Sequence, residues 1–147
     1  MYIPSSHKAF SKPTLIAVTD GVQAKLYLAN DHEVSEAGSL STKLEPMHDR
    51  DRVAVKRGDG AMASGEQNEL NQQWVREQLY EKLSKDLHER LKKQEYVDLV
   101  ITAPQEHIEE LRESLHIDVL KRVRTSVPKL LTGESLVDVL SHIENET

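Results

Sequence analysis

The chain has 147 residues, a formal net charge of −6 and no cysteine. This length favours one domain with a buried core, and the lack of cysteine excludes disulfides and thiolate chemistry. The negative charge argues against a protein that coats duplex nucleic acid without regard to sequence, although it leaves room for local basic patches.

The N-terminal residues contain no apolar segment of the secretory type, and no apolar run reaches the length of a membrane span. We therefore expect a cytoplasmic protein without a membrane span. Two prolines and three serines interrupt any period in residues 1–13. We predict a disordered lead-in over residues 1–12, followed by a single α/β domain over residues 13–147.

The first part of that domain predicts three strands in a meander. Residues 14–19 form a continuous apolar run typical of a buried central strand, and Asp20-Gly21 predict the turn after it. Residues 22–29 alternate between apolar and polar side chains, which predicts a half-buried strand antiparallel to the first. Residues 32–40 are more polar and predict a third strand at the edge of the sheet.

A long irregular segment, residues 41–65, follows the third strand and exceeds the usual length of a loop. It contains the densest basic group of the chain, and its candidate binding residues are His48, Asp49, Arg50, Asp51, Arg52, Lys56 and Arg57. One interpretation is a solvated loop whose acids and bases pair with each other, and another is an anion site, with phosphate as the obvious ligand. A metal site at His48, Asp49 and Asp51 is a third, which the neighbouring arginines disfavour.

A Gly-rich stretch leads from this segment into a predicted long helix over residues 66–94. Residues 58–67 hold three glycines, which keep a backbone flexible. Ser64 is the predicted N-cap of the helix, with Gln67 as its capping-box partner. Apolar residues then recur mostly at every fourth position, which is a helical period. They are Leu70, Trp74, Val75, Leu79, Leu83, Leu87 and Leu91.

The rest of the chain predicts alternating strands and helices. Residues 96–103 are rich in β-branched side chains and predict a strand parallel to the first. Pro104 is predicted to open a second helix, residues 119–127 to form a fifth strand with Lys121, Arg122 and Arg124, and residues 132–135 to start a last helix. The order β-β-β-α-β-α-β-α indicates an α/β fold of ribonuclease-H-like topology, with a mixed five-stranded sheet and a long first helix.

Several motifs that are weak individually form a recognisable pattern through their order and spacing. They are the strands at 15–20 and 24–28, the His48-Asp49-Arg50-Asp51 segment, the long helix, the strand-to-helix step at 99–104 and residues 115–127. In this order they resemble the bacterial family named for a protein required for attachment to host cells, over about residues 12–140. The family's late Lys-Asp/Glu-Leu-Thr step appears here as Lys129-Leu130-Leu131-Thr132, without the acid.

The host-attachment family is in turn similar to the middle domain of the eukaryotic and archaeal class I peptide-chain release factor. In that domain a Gly-Gly-Gln loop precedes a long helix and enters the ribosomal peptidyl-transferase centre, where peptidyl-tRNA is hydrolysed. The resemblance implies Gln67 as the catalytic candidate and Gly65 as a binding residue, within Ser64-Gly65-Glu66-Gln67. Glu66 replaces the second glycine, and its carboxylate is unfavourable beside tRNA phosphates and a tetrahedral oxyanion.

Three functions are compatible with the sequence. The first is a non-catalytic, release-factor-like domain, associated with translation, that binds the ribosome, RNA or a protein partner through residues 48–67. The second is a hydrolase, acting on peptidyl-tRNA or as a metal nuclease in which Asp20 and Glu106 meet while Asp98 lies at the opposite strand end. The third is an interaction protein indirectly required for surface attachment. We expect no cofactor, and the sequence leaves the oligomeric state open.

Overall fold

The protein is built on one mixed β-sheet. The computed structural model describes residues 1–4, 7–42 and 60–146, including the side chains of all of these except 60–69. The elements are β1 (Phe10–Thr19), β2 (Gln23–Asp31), β3 (Glu33–Ser41), α1 (Gly60–Lys92), β4 (Asp98–Thr102), α2 (Ile108–Ser114), α3 (Ile117–Leu120), β5 (Val123–Val127) and α4 (Leu136–Glu146).

The strands lie in the order β3-β2-β1-β4-β5. β1 pairs antiparallel with β2, and β2 pairs antiparallel with β3, whereas β4 is parallel to β1 and β5 is parallel to β4. The predicted ribonuclease-H-like mixed sheet is confirmed, with the polar third strand at one edge. No helix in the described part of the chain has the length and apolar character needed to cross a membrane.

The central strand β1 is buried on both faces of the sheet. Successive side chains of a strand point to opposite faces. Leu15 and Ala17 therefore pack in the core beneath α1, while Ile16 and Val18 belong to the core beneath α4. Each of these four side chains is at most 1% exposed. The continuous apolar run in the sequence follows from this double burial, because neither face of β1 meets water between residues 14 and 19.

Helix α1 packs across one face of the sheet and is fixed near its C-terminal end. Its side chains at Leu79, Leu83 and Leu87 are fully buried. The helix ends in a Schellman motif, in which Gln94 has a φ of 60° and the Glu95 N–H donates to the Arg90 carbonyl at 3.0 Å. The Arg90 guanidinium also donates to the Ala37 carbonyl of β3 at 2.7 Å, so the end of α1 is hydrogen-bonded to the edge of the sheet.

The N-terminal residues differ from the predicted disordered lead-in. The Met1 amino group donates to the Val34 carbonyl at 2.7 Å, and the Ile3 N–H donates to the His32 carbonyl at 2.6 Å. Ile3 is 4% exposed and Phe10, where β1 begins, is 8% exposed. These two apolar side chains complete the core beneath α4, and their burial outweighs the tendency of the neighbouring prolines and serines to break regular structure.

Three predicted boundaries in the rest of the chain are also wrong. Ser64 is not an N-cap, because α1 begins at Gly60 and Ser64 lies inside the helix. The strong helix propensity of the residues between them, including two alanines, explains the earlier start. Pro104 lies in a turn, closed by the His107 N–H donating to its carbonyl at 2.9 Å, and α2 starts after that turn. Val119 belongs to α3, so β5 is shorter than predicted.

Substitution of Leu83 by alanine should lower the free energy of unfolding by about 2–5 kcal/mol, because it leaves a cavity between α1 and the sheet. Urea denaturation followed by circular dichroism measures this change. The matched control is Leu70→Ala on the same helix, where the side chain is 62% exposed and the expected change is within about 0.5 kcal/mol. Equal losses in the two variants would contradict the proposed packing of α1.

Candidate functional site

Most of the binding residues predicted from the sequence lie outside the described residues. These are His48, Asp49, Arg50, Asp51, Arg52, Lys56 and Arg57. Their anion site therefore stays a prediction. The nearest described backbone is the first turn of α1, which begins three residues after Arg57.

Gly65 and Gln67 lie in the backbone of α1 rather than in a loop before it. They are the sixth and eighth residues of a helix that begins at Gly60. Backbone N–H groups beyond the first turn of a helix donate to the carbonyl four residues earlier, so the N–H of Gln67 is engaged within α1. Residues 60–67 of the Gly-rich stretch are therefore helical, contrary to the flexible loop that the glycines suggested.

The carboxyl ends of β1 and β4 meet below the middle of α1. Thr19 is the last residue of β1, and its hydroxyl donates to the carbonyl of Thr102, the last residue of β4, at 2.8 Å. Arg76 and Tyr80 of α1 and Glu110 of α2 lie beside them. We call these five residues the strand-end cluster.

A charged pair in the strand-end cluster joins α1 to α2. The Arg76 Nε lies against Glu110 Oε2, and Arg76 Nη2 lies 3.4 Å from Glu110 Oε1, so the guanidinium contacts both carboxylate oxygens. His107, in the turn before α2, has its Nδ1 at 3.8 Å from Glu110 Oε2. A bidentate contact of this kind restricts the relative orientation of two elements more than a single ion pair does. It therefore orients α1 relative to α2 and the strand ends.

The strand-end cluster contains two buried hydroxyls without a hydrogen-bond partner among the described residues, namely those of Tyr80 and Thr102. Both side chains are fully buried. Thr19 faces the Tyr80 hydroxyl, but not in hydrogen-bonding geometry. Burial raises the pKa of Tyr80 to about 12, and the Glu110 carboxylate adds to the rise. The hydroxyl therefore stays neutral near pH 7, and it cannot serve as a general base there.

The acids considered for a nuclease occupy separate positions. Asp20 closes the turn between β1 and β2, since its Oδ1 accepts hydrogen bonds from the backbone N–H groups of Val22 at 2.7 Å and Gln23 at 2.8 Å. Glu106 is exposed in the turn after β4, and Asp98 begins β4 at the other end of the strand. Across the described ranges, no group of three close metal-ligating side chains includes any of these acids.

The sequence analysis missed the residues that make up the strand-end cluster. Arg76 and Tyr80 are four positions apart on α1, a spacing that places two side chains on the same helix face. The apolar period of residues 70–91 predicts only a buried stripe for that stretch. The signal that could have identified the pair is a tyrosine on the buried face, because a buried hydroxyl requires a polar neighbour.

Comparison with known proteins identifies relatives of this fold. A family model described as "Bacterial archaeo-eukaryotic release factor family 12" matches residues 13–143. The chain is also similar to a solved structure described as "Crystal structure of archaeal translation termination factor, aRF1", with a TM-score of 0.50 and 11% identity. That similarity covers 90% of this chain but only 37% of the archaeal protein. No curated protein matches the sequence.

Tyr80 lies in α1 and Tyr96 in the segment after it, and both are buried. Loss of the hydroxyl should change the free energy of unfolding differently at the two positions. Tyr96→Phe removes a hydrogen bond of 2.8 Å to the Leu87 carbonyl and should cost about 1 kcal/mol of unfolding free energy. Tyr80→Phe removes a hydroxyl without a partner among the described residues, so stability should stay unchanged or rise by about 1 kcal/mol. Urea denaturation distinguishes the two. A larger loss for Tyr80→Phe would mean that its hydroxyl has a partner, such as a buried water.

Proposed function

The chain belongs to bacterial archaeo-eukaryotic release factor family 12, and from this membership we propose that it is a translation-associated domain that binds the ribosome without catalysing peptide release. Ribosome binding places the protein in the cytoplasm. In this proposal any effect on attachment to a host surface follows indirectly from an effect on translation.

The proposed contact with the ribosome is made by the basic residues that precede α1. Arg50, Arg52, Lys56 and Arg57 lie within eight positions of each other. Such a group can bind RNA phosphates, and a guanidinium group can form a bidentate contact with a phosphate. Because the whole chain carries a net charge of −6, the attraction to RNA has to be local, and the rest of the surface limits non-specific binding.

The observation that carries this proposal is the long, packed helix α1, which directly follows the basic residues in the sequence. The helix is 33 residues long and starts three residues after Arg57. Its later turns are buried against the sheet, and Arg76 is paired with Glu110 of α2. Because the basic residues directly precede this helix in the sequence, we infer that they bind RNA close to its N-terminal end.

Two features of residues 64–67 support the absence of catalysis. Release of a peptide passes through a tetrahedral oxyanion, which has to be stabilised by free donors. The N–H of Gln67 is engaged inside α1 and is not a free donor. Glu66, where the release factor has its second glycine, adds a negative charge beside the same oxyanion, and this charge raises the energy of the transition state.

Sedimentation of the native lysate through a sucrose gradient tests the ribosome contact. At low salt the wild-type chain should travel with ribosomal particles, and moderate salt should release it, because phosphate contacts weaken steeply with ionic strength. Replacing Arg50 and Arg52 by alanine should lower the slope of log affinity against log salt by about 2.

The matched control for this experiment removes the same charge elsewhere. Lys85→Ala/Lys93→Ala removes one exposed cation from the C-terminal half of α1 and one from the turn that follows the helix, and it should sediment like the wild type. If the wild-type chain stays at the top of the gradient even at low salt, the proposed function is wrong. If both double variants lose binding equally, total charge rather than residues 50–57 drives the association.

A peptidyl-tRNA hydrolysis assay on isolated ribosomes tests the absence of catalysis. The wild-type chain should release no more peptide than buffer alone, and Gln67→Ala should give the same result because the helix already occupies the Gln67 N–H. A purified release factor serves as the positive control. Release by the wild-type chain that disappears in Gln67→Ala would overturn the non-catalytic assignment and identify Gln67 as a catalytic residue.

A further inference from the structure

A group of potential metal ligands lies on α1 well away from the strand-end cluster. His88 is eight residues beyond Tyr80, which corresponds to about 12 Å along the helix. His116 and Asp118 approach it from the start of α3. Each of the three side chains offers one ligand atom, and these atoms lie within 4.8 Å of one another. The His88 and His116 rings stack with their centroids 3.8 Å apart and their planes at 15°.

Backbone contacts hold this group in place independently of any ligand. The His116 N–H donates to the hydroxyl of Ser84 at 2.9 Å. Ser84 is four residues before His88 and therefore lies on the same face of α1. The His116 Nδ1 in turn accepts a hydrogen bond from the Asp118 N–H at 3.1 Å and so caps α3. These hydrogen bonds position His116 beside the face of α1 that carries His88.

The distances between the ligand atoms are close to those of a metal site. Asp118 Oδ2 lies 3.8 Å from His88 Nε2 and 3.7 Å from His116 Nδ1. Zinc binds imidazole nitrogen and carboxylate oxygen at about 2.0–2.2 Å, so two ligands of a tetrahedral ion are about 3.4 Å apart. Contraction by about 0.4 Å brings the carboxylate and each ring to that spacing. An imidazole binds a metal through a lone pair in its ring plane, so binding also requires that the two stacked rings rotate out of their parallel arrangement until both nitrogens point at the ion. Coordination through the His116 Nδ1 would replace its hydrogen bond from Asp118.

We propose that His88, His116 and Asp118 bind a divalent transition-metal ion, with Zn²⁺ as the representative case. Two imidazoles and one carboxylate are a common ligand set for this ion, and three protein ligands leave a coordination position for water or a further ligand. The group opens into a concavity that gives the ion access from solvent and is also lined by Lys92, Lys121 and Arg122. These cations are exposed, so water and salt screen their repulsion of the metal.

Isothermal titration of the full chain with ZnCl₂ tests the site, with the visible absorption of bound Co²⁺ as a second readout of its coordination. The wild-type chain should bind one ion. His88→Ala and Asp118→Asn should each weaken binding by about tenfold or more, since metal sites respond by 10- to 100-fold even to changes in residues behind the ligands. His32→Ala, which removes an exposed histidine from the turn between β2 and β3, is the matched control and should bind like the wild type.

Two results would overturn the proposal. One is the absence of binding by the wild-type chain at millimolar Zn²⁺. The other is equal binding by the wild type, His88→Ala and Asp118→Asn, which would place the ion on other side chains. Asp118→Asn keeps the backbone N–H that donates to the His116 cap of α3, and the helical signal in circular dichroism shows whether each variant is folded. Neither readout depends on ribosome binding.

Discussion

The burial of β1 on both faces is the constraint on which the rest of the structure depends. A strand with apolar side chains on both sides has to be covered twice. One cover is α1, and the other consists of α4 together with Ile3 and Phe10 from the N-terminal residues. The connection through α1 returns the chain to the edge of β1 left free by β2, where β4 can pair with it in parallel. The ends of β1 and β4 therefore meet beneath the helix that covers them.

The strand-end cluster follows from that arrangement and gives α1 a fixed orientation. Apolar packing alone holds a helix to a sheet but tolerates small shifts along its axis. The two-pronged contact between Arg76 and Glu110 adds a directional restraint, and the hydrogen bond from Thr19 to the Thr102 carbonyl joins the two strands below it. The pKa of Tyr80 leaves its hydroxyl neutral at this junction. These properties fit a role in holding α1 in position over the strand ends.

The sequence predicted the sheet because its signals come from burial. The apolar run at residues 14–19 is buried on both faces, and so are residues 99–103 of the β-branched run, so the strands and their parallel pairing could be inferred. The ends of helices and strands could not be inferred where single contacts determine them. Pro104 suggested a helix start, but it lies in a turn in which its carbonyl accepts a hydrogen bond from the His107 N–H, and α2 starts after that turn. Arg76 and Tyr80 could not be recognised as part of a cluster, because their partners in β1, β4 and α2 are distant in the sequence.

The length of α1 bears on which of its residues can be substituted without loss of stability. A helix of 33 residues spans about 50 Å, whereas the ten residues of β1 span about 33 Å, so the helix extends beyond the sheet. From Leu70 onward, where its side chains are described, α1 alternates between buried positions such as Val75 and Leu79 and exposed positions such as Gln72 and Glu77. Substitutions at the exposed positions should cost little folding free energy, whereas those at the buried positions should cost more. Relatives can therefore differ on the exposed face of α1 while they keep the same scaffold.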